Sequence, residues 1–71
     1  MKAAAVKITI VRRGRREPAV VGENQTIAGV AGEKGVNGET TLIKLNDRLA
    51  HPDERLSDGD VLEFVDIVYS G

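Results

Sequence analysis

Few side chains in this 71-residue sequence are of types that do chemistry, and their spacing gives none of them a partner. There is no cysteine, which removes thiolate nucleophiles and any disulfide framework. His51 is the single histidine, with Asp53 and Glu54 beside it on a Pro52 turn. Three ligands so arranged lack the spacing of a zinc site, and a surface histidine is the better reading. No serine stands at a recognisable distance from His51, and the carboxylates are scattered through turns and strands. The chain therefore reads as a carrier or binder, not an enzyme, with no metal and no cofactor. Arg12, Arg13, Arg15 and Arg16 form the one basic cluster. Without interleaved aromatics they read first as a solvated turn, with a patch for nucleic acid or an anionic partner as the alternative. Phe64 and Tyr69 are too few for a stacking platform, which argues against single-stranded nucleic acid. What remains is the end of the chain, where an apolar strand runs out into Tyr69-Ser70-Gly71 as a bare, flexible tip.

That tip needs a small fold to present it. The length predicts one domain spanning residues 1–71, with 69–71 as its tail. Net charge is −1, but residues 1–35 hold seven Lys/Arg against three Asp/Glu, and residues 36–71 hold three against eight. Such asymmetry can steer a partner. Lys7 interrupts the N-terminal apolar run too early for a signal peptide, and no stretch reaches the roughly 20 apolar residues of a membrane span. The expectation is a soluble, cytoplasmic protein, monomeric on its own, that binds neither membrane nor nucleic acid.

Ala5–Arg12 alternates with period two, Val6, Ile8 and Ile10 on one face and Lys7 and Thr9 on the other, which predicts a half-buried strand. Arg13-Gly14-Arg15-Arg16 predicts a hairpin turn with Gly14 at positive φ. A second strand follows from Glu17 to Val21, and Pro18 places it at a sheet edge. Asn24 or Thr26 caps a helix whose stripe is Ile27, Val30 and Ala31, with Lys34 at its rim and Gly35 ending it. Gly29 and Gly32 make it weak, so packing must hold it. Thr40–Leu45 is the third strand, Asn46-Asp47 a tight turn, and Arg48–Ala50 a short return strand. An irregular turn over His51–Leu56 tucks Leu56 under the sheet, and Ser57-Asp58-Gly59-Asp60 leads into a strand over Val61–Val68.

A hairpin, a crossover helix and three further strands predict an α+β, β-grasp (ubiquitin-like) fold, a mixed sheet of four to five strands with one helix packed across one face. Leu45-Asn46-Asp47-Arg48-Leu49-Ala50 and Leu56-Ser57-Asp58-Gly59-Asp60-Val61-Leu62-Glu63-Phe64 resemble the ubiquitin-like sulphur carriers of the ThiS/MoaD group, which includes archaeal small modifier-type proteins. The sequence departs from that pattern twice, with Asn46-Asp47 for Asn-Gly and Ser70-Gly71 for Gly-Gly. The second departure leaves three alternatives: a tolerated serine, a sequence one residue short, or a member without conjugation.

The resemblance implies that the Gly71 carboxylate is activated by a separate ATP-dependent adenylating (E1-like) enzyme. It would then become a thiocarboxylate for a thiazole or molybdopterin synthase subunit or for tRNA thiolation, or join a lysine as a modifier. Tyr69 would sit at the mouth of the channel that receives the tail, and the Ser70 side chain would narrow the clearance inside it. Strand parity turns Leu62 and Phe64 toward the helix and leaves Val61, Glu63, Val65 and Ile67 as a half-exposed partner-binding face, unless a bulge near Asp66 shifts the parity. A β-grasp module with an inert tail is the third reading.

Overall fold

A computed structural model describes residues 5–67. The elements are β1 (Ala5–Arg12), β2 (Arg15–Gly22), α1 (Ile27–Glu33), β3 (Thr41–Leu45), β4 (Arg48–Leu49) and β5 (Val61–Asp66). The sheet order is β2-β1-β5-β3-β4. β1 and β5 are parallel and every other pair is antiparallel, so the sheet is mixed. The last strand in sequence is thus the middle strand of the sheet.

Two hairpins are closed by two-residue turns. Arg13 and Gly14 have φ of 54° and 78°, and Asn46 and Asp47 have 52° and 72°. Positive φ at both central residues is the type I′ geometry, whose twist matches that of the flanking strands. Because the first turn needs only Arg13 and Gly14, β2 begins at Arg15, two residues before the expected Glu17. Pro18 pairs with Thr9 on the edge strand, where its missing N–H is tolerated.

Helix α1 has seven residues, among them two glycines, and is held by its surroundings. Of the two expected caps, Thr26 is the one used: its Oγ1 accepts from Gly29 N–H at 3.2 Å. The N–H groups of Ile27 and Ala28 donate to the carbonyls of Glu54 and Pro52, both at 2.9 Å. The irregular 51–56 turn therefore satisfies donors that a helix start otherwise leaves orphaned. At the other end Lys34 is the cap, Gly35 turns with φ 69°, and Val36 N–H reaches the Ala31 carbonyl at 2.9 Å while Gly35 N–H reaches Gly32 at 3.3 Å. This 6→1 and 5→2 pair is a Schellman motif.

The core lies between α1 and the sheet. Val6, Ile8 and Ile10 of β1 and Leu62 and Phe64 of β5 meet Ile27, Val30 and Ala31, with Leu45 and Leu56 completing it. Leu56 is tucked under the sheet as its apolar neighbours require. β3 starts at Thr41, β4 ends at Leu49, and β5 ends at Asp66, each shorter than the periodicity suggests. Val68 lies outside the described residues. No helix among the described residues is long and apolar enough to cross a membrane.

Candidate functional site

The polar turns that lead into β5 work as a set of backbone clamps. Asp58 Oδ1 accepts from Lys7 N–H at 2.9 Å, and Gly59, with φ 88°, donates to the Lys7 carbonyl at 2.8 Å. Asp60 accepts from Ser57 N–H at 2.8 Å and from the Asn46 amide at 3.0 Å. The side-chain Oδ1 of Asn46 in turn accepts from Val61 N–H at 2.9 Å. The Leu-x-Asp-Gly-Asp turn and the Asn46 turn thus fix where β5 enters the sheet. Asn46 was legible as a turn residue, but its second role depends on a segment 15 positions away.

Within β5 the alternation is as parity requires. Leu62 and Phe64 are buried against the helix side, and Val61, Glu63 and Val65 are half-buried on the open side. Register adds neighbours that no strand reveals by itself: Leu42 lies opposite Val65, and Glu63 lies between Val11 and Lys44. Leu42 is 44% exposed, and Leu49 and Val20 are 67% and 66% exposed. A shallow depression of about 350 Å³ on this side is lined by Val11, Arg16, Asn46, Asp47, Val61 and Glu63.

Ile67 follows the last strand residue, its N–H donating to the Thr40 carbonyl at 2.8 Å. It borders a second depression, of about 570 Å³, together with Arg12, Arg13, Asn37, Thr41 and Asp66. At its edge Arg13 Nε donates to Asp66 Oδ2 at 2.9 Å. That hydrogen bond, with the positive charges of Arg13 and Arg12, holds the Asp66 carboxyl below the usual aspartate range against the opposing effect of burial. Tyr69, Ser70 and Gly71 lie outside the described residues.

The turn divides the arginine cluster. Arg12 and Arg15 are cross-strand neighbours on the helix side, Arg16 lies on the open side, and Arg13 is at the tip. The Nε of Arg12 is sheltered from solvent and has no acceptor among the described residues.

His51 takes part in local turn structure. Its N–H donates to the Glu54 carboxylate at 2.9 Å, and its Nδ1 accepts from Asp53 N–H at 3.1 Å. The Glu54 carboxyl is held low by that backbone hydrogen bond and by Arg48, 3.2 Å away. Among the described residues no three His, Asp or Glu side chains converge as metal ligands would.

A mixed five-strand sheet grasping one helix, with the last strand at its centre, defines a β-grasp, ubiquitin-like protein. The ThiS family profile matches residues 5–71, and the chain belongs to that family. Among solved structures it is similar to Caldiarchaeum subterraneum ubiquitin, with TM-score 0.70 and 22% identity over 96% of this chain and 100% of that one. It is also similar to a ubiquitin-like protein from the hyperthermophilic archaeon Caldiarchaeum subterraneum, with TM-score 0.56 and 23% identity over 92% and 100% of the two chains. At these identities the structural likeness speaks for the fold. The comparison with curated proteins returned no match.

Proposed function

We propose that this chain is a sulphur carrier charged at the Gly71 carboxylate by a separate ATP-dependent adenylating enzyme. The observation that carries the reading is that the ThiS family match runs through the tail, to residue 71. A carboxylate oxygen of Gly71 attacks the α-phosphorus of ATP, pyrophosphate leaves, and a sulphur donor then displaces AMP to leave a thiocarboxylate. Glycine suits the task because, lacking Cβ, it threads a narrow channel. The fold's contribution is positional: β5 is anchored in mid-sheet, so the tail departs from a fixed point while its chemistry takes place in the partner.

The open sheet face is the docking surface in this reading. Val61, Glu63 and Val65 lie there with Leu42, an apolar surface crossed by one carboxylate, and Ile67 stands where the tail begins. The acceptor would be an enzyme such as a thiazole or molybdopterin synthase subunit. A second reading, a modifier joined to lysines through the same carboxylate, is favoured by the structural neighbours described as ubiquitin and ubiquitin-like.

Intact mass after incubation with ATP, a sulphur donor and the adenylating enzyme of the same genome tests the proposal. A gain of about 16 Da, sulphur for oxygen, that disappears when Gly71 is deleted is the expected result. An unchanged mass, with the enzyme active on another carrier, overturns it.

A further inference from the structure

We propose that Arg12, Arg13 and Arg15 form a docking site for protein carboxylates bordering the entrance through which the partner enzyme receives the tail. The proposal rests on the carrier reading above and adds the chemistry of the partner surface. It begins with the type I′ turn, which folds Arg15 back opposite Arg12 so that both lie on the helix side of the sheet, with Arg13 at the tip. Parallel pairing sets Arg12 opposite Phe64, two residues before β5 ends. The arginines and the start of the tail therefore share one end of the sheet. Any enzyme that takes the tail must come close to them.

Their bonding leaves room for an incoming anion. Arg13 is paired with Asp66, but among the described residues neither Arg12 nor Arg15 has an ion pair. A depression of about 340 Å³ is lined by Arg12, Arg13, Arg15 and Glu17. A carboxylate entering there meets the exposed guanidinium of Arg15 in the planar geometry that guanidinium groups favour. A nucleic acid fits less well. Its continuous phosphate charge extends to Glu17 and Asp66 where a single carboxylate need not, among the described residues no aromatic side chain lines the depression, and the whole chain is acidic by one charge.

The test is the charging rate with the adenylating enzyme of the same genome, read by intact mass over a range of carrier concentrations and salt. Arg15→Glu reverses an exposed charge, and Arg12→Gln removes the sheltered one. Arg55→Glu, near the N-terminal end of α1, is the control of equal charge change. The expected result is an apparent KM raised about tenfold in R15E with kcat little changed, and a kcat/KM that falls with salt in the wild type but hardly in R15E. R12Q moves in the same direction; should it fail to fold, R15E decides alone. R15E indistinguishable from R55E overturns the proposal. So does an R15E variant with normal KM that has lost affinity for a labelled single-stranded RNA, which would assign the arginines to nucleic acid. If the wild-type chain gains no mass with an enzyme active on another carrier, the carrier reading itself falls, an outcome distinct from failure of the arginine variants.

Discussion

Arg13 Nε donates to Asp66 Oδ2 at 2.9 Å, so a residue at the tip of the first hairpin holds the last residue of β5 across 53 positions of sequence. The Thr41 hydroxyl lies 3.5 Å from the other carboxylate oxygen, a long contact. The first hairpin's turn and the start of β3 therefore meet on one carboxylate at the end of β5.

The pair predicts a pH dependence. Arg13 lowers the Asp66 carboxyl in the folded state. A lowered folded value gives stability that is fully present above the ordinary aspartate value, about 3.9, and is lost as pH falls through the lower folded value. Arg13→Met should return the Asp66 titration, followed by its carboxyl carbon shift in NMR, toward the ordinary range. The stability difference between wild type and variant should be largest above that range and fade in acid. An unmoved titration would show that Arg13 does not set this carboxyl.

The second hairpin separates two neighbouring residues. Asn46→Ala leaves Val61 N–H without its side-chain acceptor and frees Asp60, and should cost about 1 kcal/mol in urea unfolding. Asp47→Gly relieves a non-glycine residue at φ 72° and should stabilise by about 0.5 kcal/mol, since its 4.0 Å approach to Lys44 is exposed and contributes little. Equal effects at the two sites would contradict this division of roles.

Helix α1 is improvable at one glycine. A Cβ at Gly32 meets nothing within 4 Å, so Gly32→Ala should raise stability by about 0.5–1 kcal/mol through helix propensity alone. Thr26→Ala should lower it by about 1 kcal/mol by removing the acceptor for Gly29 N–H. Chemical denaturation of both variants is the measurement; a neutral G32A would mean that the helix is limited by its tertiary contacts.

The open face should matter to partners and not to folding. Leu42→Asp places a charge opposite Val65 at a 44% exposed position, so the unfolding midpoint should move little. Affinity for the adenylating enzyme, by calorimetry, should drop about tenfold or more. Unchanged affinity would remove this face from the docking surface.

Much of this molecule follows from local pattern. Period-two alternation in Ala5–Arg12 and the placing of Leu62 and Phe64 depend only on which side of a pleated strand a residue occupies, and Gly14, Gly35 and Gly59 sit where the backbone takes positive φ. Pro18 marked its strand as an edge because it lacks an N–H. Tertiary structure decided what lies beside what. Leu42 reads as an ordinary strand residue until register sets it opposite Val65. The arginine run is one cluster in sequence, but two adjacent residues of a strand point to opposite faces, and a two-residue turn sends Arg12 and Arg15 to one side and Arg16 to the other. The Pro52 and Glu54 carbonyls cap α1, and Arg13 meets Asp66, only because the chain returns between β1 and β3 as the central strand. Periodicity records the side a residue faces; the neighbour it finds there is set by pairing between distant segments, which no local pattern contains.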